Sequence, residues 1–343
     1  MISTILAVIK EDSKENIIKT LDSLLTQTYK DLEILICANF VSKESKEILT
    51  KYETENKGRI RVFETSRDSS RGGAYNLGLR NTEADYVCFL SAGDTLEPGF
   101  METLMKKAKE NNADVVSSGY KTAGSATDTS DSSIINQPDE DVDYAIESDI
   151  LKEAVGELDY DKHALLAINP GRMQSKIFKR EIFDKNGLWF PEEVMFESMG
   201  IQRLALLCAK HFEYVEDRLC TINTDNDSFD PEVDLYERLD VMSFFLEETY
   251  KREFLEEYPE EIECAVVDDM YIKTLFKYIA GSPNKKPDAA FIRLLQESIL
   301  DCFPEFETNP YYYEKYDDDI KELISLHISN PNKFIKQIAK MKK

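Results

Sequence analysis

Short apolar runs alternate with amphipathic helical patterns through the first part of the chain, and this alternation constrains the fold more than any other feature. The runs are rich in β-branched and aromatic residues, as buried strands are. Strands that alternate with helices form mainly parallel sheets with helices on both faces. The sequence therefore predicts an α/β fold. The predicted strands are residues 2–9, 32–37, 59–64, 85–90 and 114–117, with helices at 17–25, 42–52, 73–79 and 98–108.

Residues 91–94 (Ser-Ala-Gly-Asp) directly follow the predicted strand 85–90. Gly93 is expected to end the strand, and Pro98 is expected to occupy the first position of the next helix. In open α/β sheets, the loops at the carboxyl ends of the strands carry the ligand site. Asp94 is therefore a candidate functional residue.

The length of 343 residues predicts one large domain followed by an appendage. We place the α/β domain at residues 1–228 and an acidic, helical C-terminal region at 229–343. Residues 121–143 are rich in Ser, Thr and Asp, which indicates a long mobile loop. Two interpretations of this loop remain open, a lid over an acceptor site and a disordered excursion.

Charge and composition exclude several classes of protein. With 42 basic and 66 acidic residues, the net charge of -24 argues against nucleic-acid binding. No apolar run approaches the roughly 20 residues that span a bilayer, and the sequence opens on a strand pattern, so we expect a cytoplasmic protein. The 6 cysteines and 3 histidines show no CxxC or HExxH spacing, which argues against a zinc or redox site on these residues.

The last residues of the sequence form a basic amphipathic pattern. Lysines surround an apolar set that includes Phe334 and Ile338. One interpretation is a helix that contacts the inner face of an anionic membrane. The favoured one is a helix packed on the body of the protein, with its lysines complementing the helix dipole.

Several segments together resemble a known family. Residues 2–6, 21–29 (LDSLLTQTY), 74–79 and 85–90 match, in order and spacing, the family 2 glycosyltransferases with the Rossmann-like GT-A fold, and residues 175–191 are similar to the segment before the family's base motif. The resemblance covers roughly residues 1 to 225. It implies an inverting, hexosyltransferase-type enzyme that transfers a sugar from a nucleoside diphosphate, here UDP, to a glycan or cell-surface polysaccharide. It also implies a divalent metal, Mn²⁺ or Mg²⁺.

The positions that bind the donor in this family depart from its pattern. The first strand ends in Lys10 where the family has Asn, and the usual Asp-Asp-Gly-Ser after the second strand is replaced by residues 38–41 (Ala-Asn-Phe-Val). Asn39 keeps an amide that can pair with a uracil edge, and Phe40 can stack on the base. A lost hydrogen bond to a charged group is worth about 1.5 to 3 kcal/mol, which weakens donor binding roughly 10- to 100-fold.

The diphosphate and metal positions are also changed. The family's Ala-Arg-Asn becomes Ala74, Tyr75 and Asn76, and Arg71 is a candidate replacement cation for the diphosphate. The metal motif Asp-Ser-Asp-Asp keeps only its last acid, Asp94. Because Mg²⁺ and Mn²⁺ prefer carboxylate and phosphate oxygens, a metal on Asp94 would depend mainly on the diphosphate.

At the base motif, the family's Tyr-Glu-Asp corresponds to Phe196, Glu197 and Ser198. Ser198 cannot accept a proton at neutral pH, and loss of a general base typically costs about 10²- to 10⁴-fold in rate. Glu197 is the candidate base. Two hypotheses follow: an active transferase with a divergent site, and a catalytically degenerate homologue that acts as the partner subunit of an active glycosyltransferase or as a glycan-binding module.

Overall fold

A computed structural model describes residues 1–123, 140–224, 236–276 and 289–341. The chain divides into two compact units, one formed by Met1–Ser125 and Ile146–Ser228, the other by Ala126–Ala145 and Phe229–Lys343. Most of the predicted loop 121–143 lies outside the described residues. Its two ends do not belong to a loop, since residues 121–123 are in a strand and 140–143 in a helix.

The first unit begins with four parallel strands joined by helices. Strands and helices alternate strictly in this part of the chain, because the amphipathic helices cover the faces of the sheet and so bury its apolar strands. The elements are β1 (Ile2–Ile9), α1 (Lys14–Leu25), β2 (Leu32–Asn39), α2 (Lys43–Glu55), β3 (Ile60–Glu64), α3 (Arg71–Asn81) and β4 (Tyr86–Ser91). The parallel order is β3-β2-β1-β4, in agreement with the predicted α/β fold.

Beyond β4 the sheet becomes mixed. Its order continues with β8 (Lys176–Lys179), β6 (Val115–Ala123), β9 (His211–Asn223) and β5 (Thr95–Leu96), and β7 (Gly156–Glu157) pairs with β9. Strand β8 runs antiparallel to both β4 and β6, whereas β6 and β9 are parallel. The helices of this unit after β4 are α4 (Phe100–Asn111), α5 (Glu140–Glu153), whose residues up to Ala145 are assigned to the second unit, α6 (Tyr160–Ile168), α7 (Glu181–Asn186) and α8 (Ser198–Cys208).

Local sequence signals determine where the helices begin. Ser42 caps α2 as expected, because its side chain accepts a hydrogen bond from the Ser45 N–H at 3.1 Å. Ser13 and Ser70 do the same for α1 and α3. The prediction for Pro98 was wrong: α4 starts two residues later at Phe100, after Gly99.

An aromatic cluster packs strand β4 against the segment that follows α7. The Phe89 ring lies 5.3 Å from Tyr75, 5.4 Å from Phe183 and 5.1 Å from Phe190, between ring centroids. These edge-on contacts add to the free energy of burying the rings themselves. The cluster thus connects α3, β4, α7 and the segment around Phe190 through direct ring contacts.

The second unit is helical over its described residues. Its elements are α9 (Glu237–Lys251), α10 (Phe254–Glu257), α11 (Pro259–Ala265), a π-helical segment (Val266–Ile272), α12 (Ala289–Cys302), α13 (Pro310–Lys315), α14 (Asp318–Ser329) and α15 (Pro331–Met341). Helix α15 packs on α12 and α14 through Phe334 and Ile338, which are fully buried. The apolar face that a membrane contact requires is therefore used inside this unit. Across the described ranges, every helix is too short or too polar to cross a bilayer.

Candidate functional site

The order of the parallel strands reverses direction at β1. Strand β1 pairs with β2 on one side and with β4 on the other, and β3 extends the sheet beyond β2. Ligands of open α/β sheets bind beyond the carboxyl ends of the strands at such a switch point. The segments after β1, β2 and β4, together with the start of α3, therefore frame the candidate site.

Asp94 lies in the turn after β4 and is 0% exposed. Its Oδ2 accepts a hydrogen bond from the Ser91 N–H at 2.8 Å, and its Oδ1 accepts one from the Asn223 N–H at 2.9 Å. Gly93 makes the turn possible with a φ of 100°, and a Cβ there would lie 2.3 Å from the Asn223 side chain. Asp94 thus joins this turn to the end of β9.

Thr20 of α1 holds the same turn and was missed by the sequence reasoning. Its hydroxyl donates to the Asp94 carbonyl at 2.7 Å and accepts from the Gly93 N–H at 2.8 Å. A threonine in the middle of an amphipathic helix gives no sequence signal for such a contact. The turn is therefore fixed from both α1 and β9.

The side chains of residues 91–94 do not fit a divalent cation. Both Asp94 carboxylate oxygens accept backbone N–H groups, Gly93 offers no side chain, and the Ser91 hydroxyl lies 2.9 Å from the hydroxyl of Tyr75. Mg²⁺ and Mn²⁺ take most of their ligands from carboxylate, phosphate and water oxygens. No cluster of three or more His, Cys, Asp or Glu suited to a metal occurs within the described parts of the chain.

Asn39, the last residue of β2, is buried and tied to the loop between β3 and α3. Its Oδ1 accepts hydrogen bonds from the Thr65 hydroxyl at 2.8 Å and the Ser69 N–H at 3.3 Å. Its Nδ2 donates to the Ser69 carbonyl. The amide that the sequence assigns to a uracil edge is thus engaged with the protein itself.

Phe40 follows Asn39 with a φ of 49° and leaves 54% of its surface exposed. A left-handed backbone is uncommon for a bulky residue and costs free energy, which makes the position a functional candidate. Lys10 lies at the same edge, because β1 and β2 pair up to Ile9 and Asn39. Its ammonium is 3.2 Å from the Asp68 carboxylate, and this exposed ion pair raises the pKa of Lys10.

Arg71, the first residue of α3, forms a bidentate ion pair with Asp12 in the loop after β1. The two N–O distances are 2.9 and 3.1 Å, and the side chains are 13% and 3% exposed. Burial lowers the pKa of Arg71, but the Asp12 carboxylate outweighs it and the net shift is upward. The Ile9 N–H donates a further hydrogen bond to Asp12 at 2.7 Å. Sequence reasoning missed Asp12, since nothing local links it to a residue 59 positions away.

Glu197 lies just before α8 and is 7% exposed, after Phe196 with a φ of 63°. Burial raises the pKa of Tyr75, and the nearby Glu197 carboxylate raises it further. The same carboxylate also helps to raise the pKa of Arg71. The structure therefore brings Arg71, Tyr75, Glu197 and Asp12 into one electrostatic neighbourhood.

Asn76, on α3, holds the segment after Trp189 instead of facing open solvent. Its Nδ2 donates to the Phe190 carbonyl and to Glu192, both at 2.9 Å, and its Oδ1 accepts from the Phe190 N–H at 3.0 Å. Gly72 is required beside it, because a Cβ would lie 2.0 Å from the Pro191 carbonyl oxygen. Asn76 therefore holds the segment from Phe190 to Glu192 against α3.

Comparison with known proteins decides the family. The sequence profile described as Glycosyl transferase family 2 matches residues 3–181, just over half of the chain. The chain belongs to glycosyl transferase family 2. Glycosyltransferase GlyA of Streptococcus pneumoniae is 36% identical to this family 2 member over 102 residues, which cover 30% of the chain and 14% of GlyA. Glycosyltransferase GlyG of the same organism is 22% identical over 206 residues, 59% of the chain and 64% of GlyG.

The match thus spans less than two thirds of the length of either relative. Among solved structures, S. aureus TarS 1-349 in complex with UDP aligns with a TM-score of 0.61 at 15% identity, over 99% of this chain and 90% of that chain. A likeness at this identity shows the fold alone. It confirms that this family 2 member has the predicted GT-A architecture.

Proposed function

We propose that this family 2 member binds a nucleoside diphosphate sugar and transfers the sugar to a hydroxyl of a glycan or polysaccharide, with Arg71 in the place of the metal. The observation that carries the proposal is the Arg71 guanidinium, 13% exposed at the strand ends where such folds bind ligands, together with the buried Glu197 carboxylate, which helps to raise the pKa of Arg71. Arg71 can neutralise the charge of the leaving diphosphate, and Glu197 can take the proton from the hydroxyl of the acceptor. These are the two charged groups that the reaction needs.

The proposed chemistry uses only residues of this site. The acceptor oxygen attacks the anomeric carbon, the bond from that carbon to the diphosphate oxygen breaks, and the hydroxyl proton passes to Glu197. Arg71 exchanges its bidentate contact with Asp12 for one with the diphosphate, since guanidinium pairs equally well with carboxylate and phosphate. Phe40 and Lys10 hold the nucleoside end of the donor.

This proposal predicts metal-independent binding. Calorimetry with nucleoside diphosphates in the presence of EDTA should show the same affinity as with Mn²⁺. Asp12→Asn should tighten binding severalfold, because it removes the carboxylate that competes for Arg71, and Arg71→Gln should weaken it at least about tenfold.

Two control variants separate a loss of nucleotide binding from a loss of stability and from the general effect of removing an arginine. Arg71→Gln leaves Asp12 buried without its partner and therefore costs stability, so the double variant Asp12→Asn, Arg71→Gln should still bind weakly while folding better. Arg61→Gln removes an exposed arginine that pairs with Glu33 and should leave affinity unchanged. Binding that requires Mn²⁺, or an affinity of the double variant equal to that of the wild-type protein, contradicts the role of Arg71.

The second candidate is a catalytically degenerate homologue that acts as the partner subunit of an active glycosyltransferase or as a glycan-binding module. It is favoured by the bidentate Arg71–Asp12 pair, in which the Arg71 guanidinium is already bound to a carboxylate, and by Ser198 at the family's base position. Turnover separates the two. Release of a nucleoside diphosphate from any sugar nucleotide, abolished by Glu197→Gln, supports the transferase; absence of both turnover and nucleotide binding supports the degenerate homologue.

A further inference from the structure

The segment that carries Glu197 has no regular secondary structure. Residues 187–197, which join α7 to α8 and all lie within the described ranges, belong to no helix or strand. The backbone of such a segment lacks a hydrogen-bond ladder, so contacts with neighbouring elements must hold it in place. The position of Glu197 therefore depends on how this segment is attached to the rest of the α/β unit.

Glu192, within this segment, binds α3 and the loop before it through its side chain. Its Oε1 accepts hydrogen bonds from Asn76 Nδ2 at 2.9 Å and from the Arg80 guanidinium at 3.3 Å. Its Oε2 accepts one from the guanidinium of Arg67, in the loop between β3 and α3, at 2.6 Å. One carboxylate thus joins the segment to a helix and to the loop that precedes the helix.

The backbone of Glu192 makes a further contact directly beside Arg71. Its carbonyl accepts a hydrogen bond from the Ser70 N–H at 2.7 Å. Ser70 caps α3, and Arg71 is the first residue of that helix. Glu197 follows Glu192 in the same irregular segment. Glu192 therefore holds the segment that carries Glu197 against the start of the helix that carries Arg71.

The side-chain contacts require an ionised Glu192. Burial raises its pKa, but hydrogen bonds from Arg67, Asn76 and Arg80 outweigh this effect, and the net shift is downward. The carboxylate is therefore charged at neutral pH. All three partners donate N–H groups, so an amide at this position would set its own N–H groups against at least one of them.

We propose that Glu192 is a positioning residue that keeps the Glu197 carboxylate in register with the Arg71 guanidinium during sugar transfer. The inference rests on the proposed transferase function. In that reaction a displacement of about 1 Å can cost roughly 10²-fold in rate. Arg71 keeps its own place on α3, so loss of the Glu192 contacts should displace Glu197 and slow transfer without weakening nucleotide binding.

Steady-state kinetics of Glu192→Gln test this inference. The donor is the one that the wild-type protein uses fastest among UDP-glucose, UDP-galactose, UDP-N-acetylglucosamine and GDP-mannose, and the signal is release of the nucleoside diphosphate. The kcat should fall at least about tenfold, whereas the KM for the donor should change by less than about twofold. Amide hydrogen exchange measured by mass spectrometry should become faster in residues 188–197 and stay unchanged in β1.

Glu193→Gln provides the matched control. This neighbouring carboxylate is 80% exposed and lies 3.9 Å from Arg67, so its loss should leave both kcat and exchange unchanged. Arg67→Gln is a milder variant that removes one of the three donors and should lower kcat less than Glu192→Gln does. The double variant should be no slower than Glu192→Gln alone, because both substitutions break the same contact.

The outcomes separate this inference from the function on which it rests. A wild-type kcat in Glu192→Gln, or equal losses of kcat and nucleotide affinity, overturns the positioning role and leaves the proposed transferase function standing. A lower kcat without faster exchange in residues 188–197 also overturns it, because displacement of that segment is its physical cause. If Glu192→Gln does not fold, an unchanged kcat in Arg67→Gln overturns it instead. Absence of turnover in the wild-type protein with all four donors overturns both.

Discussion

Phe40 combines two features that a residue without a function seldom shows together, a left-handed backbone and an exposed aromatic ring. The backbone strain costs about 1 to 2 kcal/mol in a non-glycine residue, and the ring recovers little of it by burial. Phe40→Gly should therefore raise the free energy of unfolding by up to about 1 kcal/mol and weaken nucleotide binding about tenfold through lost stacking. Urea unfolding followed by the fluorescence of Trp189, the only tryptophan of the chain, and calorimetry measure the two effects.

Asn112 provides a matched control for this prediction. It caps the end of α4 with a φ of 51°. Asn112→Gly should not destabilise the protein, because glycine adopts a positive φ without strain, and it should leave nucleotide binding unchanged. If Phe40→Gly binds nucleotide as tightly as the wild-type protein, the ring does not take part in the site.

Individual residues also show where sequence reasoning reaches its limit. The positions of Asn39, Asp94 and Asn76 beside the switch point follow from the strand pattern and the family resemblance. Their hydrogen-bond partners do not, because Thr65, Asn223 and Phe190 are distant in sequence and have no distinctive local pattern. The sequence predicts that a polar residue at a strand end lies near the candidate site. Its role depends on hydrogen-bond partners that only the folded chain brings close to it.

At the level of elements, some local signals predicted the structure correctly, although Pro98 did not mark the start of α4. The apolar run of β1 gives its bounds without error, and the serine before α2 identifies the cap. Strand β8 shows the limit: its apolar pattern does not encode pairing direction, so its antiparallel insertion between β4 and β6 was not foreseen. The helical character of the C-terminal region was predicted from its periodicity, and its described residues are helical.

Helix α14 contains a buried histidine that should make the C-terminal helical unit sensitive to acid. His327 Nδ1 lies 2.6 Å from the Tyr271 hydroxyl, and Nε2 lies 2.8 Å from the Ile292 carbonyl. Burial lowers the pKa of His327 from 6.5 to about 4, although the Ile292 carbonyl opposes the shift. Between these two values the unfolded chain binds the proton and the folded chain does not, so stability falls as pH falls from about 6.5 to about 4.

The size of this effect is about 3 kcal/mol, at 1.36 kcal/mol for each unit of pKa difference. Urea unfolding followed by far-ultraviolet circular dichroism at a series of pH values measures it. His327→Gln, which cannot titrate, should lose most of the pH dependence between 6.5 and 4, whereas His163→Gln should keep it. Equal pH dependence in the wild-type protein and His327→Gln would show that other groups cause the acid sensitivity.

At the scale of the whole molecule, the charge of -24 opposes contact with anionic surfaces. The exposed face of α15 carries lysines at 333, 336 and 340, and each lysine near an anionic membrane contributes about 1 kcal/mol within a Debye length of roughly 8 Å. The apolar residues that would strengthen such a contact, Phe334 and Ile338, are buried against α12 and α14. Among the described residues of α15, these three lysines must then outweigh the repulsion of an acidic protein.

We therefore expect no co-sedimentation with vesicles of phosphatidylserine and phosphatidylcholine at physiological ionic strength. The informative variant is the triple substitution Lys333→Gln, Lys336→Gln, Lys340→Gln, because it changes the charge of α15 and leaves its buried face intact. Truncation is unsuitable, since removal of Phe334 from the core should cost about 3 to 5 kcal/mol and confuse unfolding with lost binding. Sedimentation of the wild-type protein with anionic but not neutral vesicles, abolished in the triple variant, would establish the peripheral membrane contact that the packing of α15 argues against.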